Sequence, residues 1–157
     1  MPKQAKKVSQ SRVELAQVAM PDDANPAGNV HGGAIMKLID NAAGVVAMRH
    51  TRRNIVTASI DRLDFHHPVF VGNLIILKAS INRVGNTSME VGVRVEAENI
   101  MTGEIRHTAS AYLTFVALSP DGCPTQVPAL ASETDEDRRR LSEAIARYKT
   151  RKLNKRK

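Results

Sequence analysis

The apolar side chains of this chain change their spacing once, and that change limits the folds available to it. From Ala34 to about Arg49 the spacing is helical. The apolar positions in this segment are Ile35, Leu38, Ile39, Ala42, Val45 and Val46. After Asn54 the spacing becomes strand-like, and no second helical segment separates the strands that follow. The pattern therefore argues against a parallel sheet and predicts one long helix followed by antiparallel strands.

Several segments have the composition of strands. They are Arg12 to Met20, Ile55 to Phe65, Val69 to Val84, Ser88 to Glu98 and Glu104 to Leu118. In the strand from Arg12 to Met20 we expect Val13, Leu15 and Val18 to be buried. Between Ser88 and Glu98 the apolar and charged residues alternate, as in an antiparallel sheet with one face in water. The expected fold class is α+β, with an antiparallel sheet wrapped around one long, largely enclosed helix.

The length of 157 residues suits a single domain. We place this domain at residues 12–130 and expect residues 1–11 to form a basic, disordered N-terminus. Residues 131–157 should form a C-terminal amphipathic helix and a basic tail that frays from Lys149 onward. The apolar stripe of that helix would be Leu141, Ile145 and Tyr148, and the motif Ser132-x-x-Asp135 resembles a capping box.

The formal net charge of +7 is concentrated at the two ends of the chain. Residues 1–12 carry +4 and residues 131–157 carry +5, whereas residues 13–130 carry −2. We interpret the basic ends as solubilising extensions and expect no nucleic-acid partner. The lone Cys123 cannot form an internal disulfide, and neither a secretory signal nor a membrane-spanning apolar run is visible. We therefore expect a cytoplasmic protein without a membrane partner.

The segment from Asn25 to Asp40 contains the residues best suited to chemistry. Gly32 and Gly33 stand at a loop-to-helix junction, where unpaired amide N–H groups can polarise a carbonyl. Alternatively, these glycines only allow the helix to pack tightly against the sheet. Asp40 lies among apolar and small residues, where it either reacts with a substrate or edges into solvent beside Lys37 and Asn41. Together these groups suggest acyl chemistry, with Asp40 as a base or a nucleophile.

Other catalytic chemistries have little support in the sequence. There is no Gly-x-Ser-x-Gly nucleophile elbow, and Cys123 lies in a loop rich in proline and glycine. His66 and His67 are adjacent on a predicted strand and so point to opposite faces. The remaining histidines are scattered, and we expect no metal site.

Several separated motifs resemble the signature of one family. The first is Asn25…Gly28-Asn29-x-His31-Gly32-Gly33-x-x-Met36-x-x-x-Asp40. The others follow in the same order, as Val56-Thr57-Ala58, Phe65-x-x-Pro68-Val69-x-x-Gly72, Val84-Gly85-Asn86-Thr87-Ser88-Met89-Glu90-Val91 and Thr114-Phe115-Val116-Ala117-Leu118. Over residues 10–130 the chain thus resembles the hotdog-fold acyl-CoA thioesterases, in particular the bacterial short-protein and cytosolic acyl-CoA hydrolase group. The C-terminal helix lies outside the resemblance.

The resemblance implies a hotdog fold that dimerises edge to edge, with active sites at the dimer interface. Asp40 matches the family's general base or nucleophile, and Asn25 matches its partner from the opposing subunit. The amide of Gly32 or Gly33 matches the donor that polarises the carbonyl. The residues that match CoA or acyl binding are His31, Arg83, Gly85, Asn86, Thr87 and Ser88. From the residues alone, Gly85 to Ser88 is equally well interpreted as a simple hairpin turn.

The expected function is hydrolysis of fatty acyl-CoA to a free fatty acid and CoA, a reaction of fatty acid metabolism. No cofactor is needed, because coenzyme A is part of the substrate. We expect a homodimer as the minimal active unit, assembled as a hexamer of three dimers. Two alternatives remain open: another hotdog acyl-CoA enzyme such as a dehydratase, or a non-catalytic acyl-CoA-binding regulator that contacts nucleic acid through its basic termini.

Overall fold

The computed structural model describes residues 5–156. These residues form two α-helices, α1 (Gly32–Thr51) and α2 (Asp135–Lys155). The strands among them are β1 (Lys6–Lys7), β2 (Val13–Val18), β3 (Asn54–Phe65), β4 (Leu74–Val84), β5 (Ser88–Glu98), β6 (Ile105–Leu118) and β7 (Leu130–Ala131). Short 3-10 helices occupy Val8–Gln10 and Pro21–Asp23. Neither α-helix of this part of the chain is both long and apolar enough to cross a membrane.

Most of the strands form one antiparallel sheet in the order β2-β4-β5-β6-β3, and α1 packs across one of its faces. The strands β4, β5 and β6 follow one another through turns and pair with their sequence neighbours. In contrast, β3 precedes β4 in the chain but pairs with β6, at the edge of the sheet opposite β2. This arrangement confirms the predicted α+β class, in which an antiparallel sheet surrounds one central helix.

Helix α1 is two residues longer at each end than its apolar spacing predicted. Its sheet-facing residues are at most 3% exposed; they are Ile35, Ile39, Ala42, Ala43, Val46 and Ala47. Because many of these side chains are small, the helix backbone lies close to the sheet. The helix is not enclosed on every side, since Met36 and Met48 remain 38% and 43% exposed. It ends at Arg52, which adopts the left-handed conformation with a φ of 53°.

The alternation within β5 predicts one face of this strand correctly and the other only in part. The apolar residues Met89, Val91, Val93, Val95 and Ala97 are all buried, as expected. On the opposite face Arg94 is exposed, but Glu90 is only 4% exposed. The expectation of a water-facing surface is therefore wrong at Glu90, because Arg147 of α2 covers it.

Two expectations for the strands are wrong in detail. Leu15 and Val18 are exposed rather than buried, because β2 is an edge strand that pairs within the described residues with β4 alone. Val13 does pack against the core. The strand expected from Val69 begins only at Leu74, because the intervening residues form a turn in which Gly72 has a φ of 90°.

The structure also differs from the expectation of a disordered N-terminus, as far as it describes that segment. Lys6 and Lys7 pair in parallel with Leu130 and Ala131 to form a two-stranded sheet. The next residue, Val8, is 2% exposed and belongs to the core. Backbone hydrogen bonds and the buried side chain of Val8 keep this segment ordered. Neither could be predicted from its basic composition. Residues 1–4 lie outside the described residues.

Helix α2 begins later than the predicted capping box. Thr134, and not Ser132, caps the helix: its side chain accepts a hydrogen bond of 3.0 Å from the Asp137 amide, and the Asp137 carboxylate accepts the Thr134 amide in return. The predicted apolar stripe is displaced as well, since Ile145 is 37% exposed whereas Ala144 is 1% exposed. The helix continues to Lys155, so the expected fraying from Lys149 is not observed over residues 149–155.

Candidate active site

Asp40 is held where α1 passes the edge strand β3. Its side chain is half-buried, and the hydroxyl of Thr57, on β3, donates a hydrogen bond of 2.8 Å to Asp40 Oδ1. This contact directs the carboxylate toward the sheet edge and away from its exposed helix neighbours Lys37 and Asn41. Within residues 5–156 the structure gives Asp40 Oδ2 no hydrogen-bond donor. One carboxylate oxygen is thus fixed, and the other is available to water or a substrate.

The start of α1 presents backbone donors to the surface. His31 is the N-cap residue, and its side chain makes no capping hydrogen bond. Among the described residues, the amides of Gly32 and Gly33 have no hydrogen-bond acceptor. An added Cβ at Gly33 would meet no atom within 4 Å, and one at Gly32 would lie 3.5 Å from the Phe65 ring, an ordinary contact. Packing within the protomer therefore does not require glycine at either position. This favours the other interpretation, in which the glycines let a ligand or a partner approach the backbone closely.

The loop before α1 places Asn25 in a tight turn. Asn25 Oδ1 accepts the amides of Ala27 and Asn29 at 3.0 and 3.1 Å. The Asn25 amide donates to the Asn29 carbonyl at 2.7 Å, so both ends of the turn are closed. Within the described protomer no hydrogen bond joins Asn25 to Asp40. The loop is therefore ordered by its own contacts.

The predicted CoA-binding turn lies between β4 and β5. The carbonyls of Asn86 and Thr87 accept hydrogen bonds from the amides of Val127 and Ala117 at 2.8 and 3.0 Å. These two hydrogen bonds hold the turn in place. Gly85 and Ser88 close it through a hydrogen bond of 2.7 Å. The guanidinium of Arg83 stacks on the Tyr148 ring at 3.8 Å, so Arg83 is directed toward α2. His31 lies apart from this turn, at the start of α1.

Comparison with known proteins identifies the family. The sequence model of the thioesterase superfamily matches residues 27–104. The chain is 40% identical over 154 residues to the uncharacterized acyl-CoA thioester hydrolase YkhA of Bacillus subtilis, and this alignment covers 98% of the chain and 86% of that protein. The chain belongs to the thioesterase superfamily. The chain is also 39% identical over 143 residues to the rat cytosolic acyl coenzyme A thioester hydrolase, but it spans only 38% of the length of that relative.

Solved structures of the thioesterase superfamily agree with the fold. An apo-hexameric acyl-CoA thioesterase superposes with a TM-score of 0.93 at 38% identity, over 96% of this chain and 97% of that one. An acyl-CoA hydrolase from Staphylococcus aureus, solved with butyryl coenzyme A and coenzyme A, superposes with a TM-score of 0.90 at 32% identity, over 97% and 93%. Three alanine variants of this Staphylococcus aureus enzyme replace an asparagine, an aspartate and a threonine, which are 15 and 17 residues apart along its chain. These neighbours confirm the resemblance and the hotdog fold.

The sequence alone gave Thr57 no role, although the structure places it at the candidate site of this thioesterase-superfamily member. The run Val56-Thr57-Ala58 was part of the resemblance, yet nothing in it indicates a contact with α1. The contact arises because β3 lies alongside α1 in the fold, 17 residues after Asp40. Only the tertiary structure brings the hydroxyl to the carboxylate.

A large cleft of about 810 Å³ lies away from Asp40, between α2 and the face of the sheet opposite α1. Ser80, Arg94 and Arg140 are among its lining residues. Its arginines and lysine are mostly paired with nearby carboxylates, as Arg140 is with Glu136 at 3.2 Å. Within the described residues no three histidine, cysteine or acidic side chains converge into a group that could hold a metal ion.

Proposed function

We propose that the protein hydrolyses fatty acyl-CoA to a free fatty acid and CoA, with Asp40 as its reactive carboxylate. The hydrogen bond of 2.8 Å from Thr57 to Asp40 is the observation that carries this proposal. Asn25, Asp40 and Thr57 are 15 and 17 residues apart, the same spacing as the three residues replaced in the Staphylococcus aureus enzyme. That enzyme is named an acyl-CoA hydrolase, which supports an acyl-CoA substrate for the present chain.

The geometry supports a simple division of labour. Thr57 fixes Oδ1 of Asp40, and Oδ2 either removes a proton from the attacking water or attacks the thioester carbon itself. As the carbonyl oxygen becomes negative, the amides of Gly32 or Gly33 stabilise it. The carbon–sulfur bond then breaks, and the CoA thiolate takes up a proton. In the version with Asp40 as the base, the proton removed from water is the one returned to the thiolate. In the version with Asp40 as the nucleophile, the acyl group is left on Asp40 as a mixed anhydride. Water then hydrolyses this anhydride, which releases the fatty acid, restores the carboxylate and supplies the proton that the thiolate takes up.

Helix geometry supports a site that combines residues of two protomers. Gly33 and Asp40 are two turns apart on α1, which is about 10 Å along the helix axis. A reacting carbonyl has to lie about 3 Å from its amide donor and about 3 Å from the attacking group. For direct attack by Asp40, the two groups of one helix are too far apart to act on the same carbonyl, even with the reach of the Asp40 side chain. This favours donors from one protomer and the carboxylate from the other, with Asn25 acting on the opposing subunit's Asp40.

The surface around Asp40 also supports this assembly. Met36 of α1 and Val56 and Phe65 of β3 are apolar, yet they are 38%, 45% and 51% exposed. Among residues 5–156 no strand pairs with the outer edge of β3. Apolar side chains gathered along a helix and such a sheet edge are typical of a protein–protein interface. We propose that β3 pairs with β3 of a second copy, and that three such dimers form a hexamer.

A hydrolysis assay tests the function directly. Release of CoA is measured across a panel of acyl-CoA chain lengths for the wild-type protein, for Asp40→Ala and for the control Asp135→Ala. The side chain of Asp135 is 99% exposed at the start of α2. We expect Asp40→Ala to lower kcat by about 100-fold or more, and Asp135→Ala to leave it within about twofold. No CoA release by the wild-type protein from any chain length, or near-normal turnover by Asp40→Ala, would overturn the proposal.

A further inference from the structure

Helix α2 is attached to the sheet by polar contacts on the face opposite α1. Arg140, Arg147 and Arg151 lie on one stripe of α2, around the buried Ala144. Arg140 Nη1 donates to Ser80 Oγ on β4 at 3.0 Å. The arginines further along the stripe reach β5, β6 and β3, so successive turns of α2 contact successive strands.

Arg147 forms the central attachment. Its guanidinium binds both carboxylate oxygens of Glu90 at 2.9 Å and stacks on the Tyr112 ring at 3.7 Å. Asn82 donates a further hydrogen bond of 3.1 Å to Glu90 Oε2. Because Glu90 is 4% exposed, this pairing offsets the removal of its carboxylate from water. The contact fixes the position of α2 over the middle of the sheet.

One turn further along α2, Arg151 reaches the edge strand. Its guanidinium binds the carboxylate of Asp61 on β3 and donates to Thr114 Oγ1 on β6 at 2.9 Å. Thr114 in turn donates to Asp61 Oδ2 at 3.1 Å, and Ser59 donates to Asp61 Oδ1 at 2.9 Å. The Asp61 carboxylate is therefore tied to its own strand, to the neighbouring strand and to α2.

Asp61 occupies an irregular stretch of β3. The pairing of β3 with β6 shifts register between Thr57 and Ser59, and again between Ile60 and Arg62. Each shift is a bulge, which bends a strand and changes the direction of its side chains. The first bulge directly follows Thr57, and Asp61 lies within the second. The direction of the Thr57 side chain therefore depends on how this double bulge is held.

We propose that Arg151, acting through Asp61, is a positioning residue that locks the double bulge of β3 and so keeps the Thr57 hydroxyl on Asp40. In the register of β3 with β6, Asp61 is the extra residue and has no partner opposite it. Its side-chain tie to α2 therefore supplies a restraint that pairing with β6 does not give. The inference rests on the proposed function of Asp40, and it gives the C-terminal helix a part in catalysis although no residue of that helix contacts Asp40.

A double-mutant cycle on the full-length protein tests the inference. We expect Arg151→Met to lower kcat by about 10- to 100-fold with KM within about twofold, because misplacing a reacting group by about 1 Å has effects of that size. In a Thr57→Ala background the same change should lower kcat by no more than about twofold, since the contact that it controls is already gone. Arg151→Lys should restore part of the activity. Independent, multiplying effects of the two substitutions would overturn the inference.

Hydrogen exchange followed by mass spectrometry separates this inference from the proposed function. Arg151→Met should speed exchange of the β3 amides between residues 54 and 65. The control Arg139→Met lies on the same helix, but its partners among residues 5–156 are Glu136 and Glu143 of that helix, so it should not change this exchange. Unchanged β3 exchange in Arg151→Met would overturn the inference whatever the activity.

If Arg151→Met fails to fold, Asp61→Asn is measured in its place. Absence of hydrolysis by the wild-type protein would instead count against the proposed function, and the exchange result would still decide the structural claim.

Discussion

Gly92 of β5 lies beneath the side chain of Asn82, which occupies the space where a side chain of residue 92 would stand. A Cβ added to Gly92 would lie 2.7 Å from Asn82 Nδ2. Asn82 is 4% exposed and bonded to Glu90, so it cannot move aside without losing that hydrogen bond. A hydrogen bond to a charged group contributes about 1.5–3 kcal/mol, and overpacking a buried site costs about 1–3 kcal/mol. We therefore expect Gly92→Ala to lower the free energy of unfolding by about 2–4 kcal/mol.

Thermal unfolding measures this change, provided that all variants are compared at one protein concentration. For a domain of this size the Tm should fall by roughly 5–15 °C. Gly44→Ala is the matched control, because its Cβ would lie 3.8 Å from Ile55, an ordinary contact, and we expect a change within about 1 kcal/mol. In an Asn82→Ala background Gly92→Ala should cost less than about 1 kcal/mol. An unchanged Tm for Gly92→Ala, or the same loss in both backgrounds, would refute this reasoning.

Three further predictions concern the site and the core. Thr57→Val should lower kcat by roughly 10- to 100-fold while Thr57→Ser stays near wild type, because only the serine keeps the hydrogen bond to Asp40; steady-state kinetics compare the two. Mixing Asn25→Ala with Asp40→Ala should restore part of the activity that each lacks, and no recovery after confirmed subunit exchange would exclude the shared site. Burial lowers the pKa of His50 below its usual 6.5, so the unfolded chain binds the proton more readily. The free energy of unfolding should therefore fall as the pH drops below about 6.5, and less so in His50→Gln; equal slopes would contradict this.

The sequence predicted those parts of the fold that depend on local periodicity. Helical spacing around Ile39 and strict alternation around Val93 each define a buried face, because an exposed apolar stripe would be unstable. The class and order of the main elements followed from that spacing. The same reasoning wrongly predicted that Leu15 and Val18 are buried within the protomer. The alternating pattern of an edge strand is the same whether its apolar side chains are covered by their own chain or by a second copy.

Contacts between distant segments were beyond the sequence. Nothing local distinguishes Thr57 from other strand threonines, and its contact with Asp40 depends on where β3 lies in the sheet. The pairing of Lys6 and Lys7 with β7 uses backbone groups, which leave no trace in composition. Gly32, Gly33 and Asp40 were proposed from their residue types, whereas Asn25 was added by the resemblance alone. Within the described protomer Asn25 bonds only to its own loop in the hydrogen bonds seen, and Asp40 bonds to Thr57. A site shared between two subunits therefore stays a prediction.

The central claim is that the Asp40 carboxylate, held by Thr57, performs thioester hydrolysis. Its most direct test is kcat of Asp40→Asn with a fatty acyl-CoA substrate, because asparagine keeps the size of the side chain and an oxygen for the Thr57 hydrogen bond but cannot act as a base or a carboxylate nucleophile. We predict a loss of about 100-fold or more in kcat with an unchanged Tm and unchanged assembly. An Asp40→Asn protein that turns over at near the wild-type rate would contradict the claim.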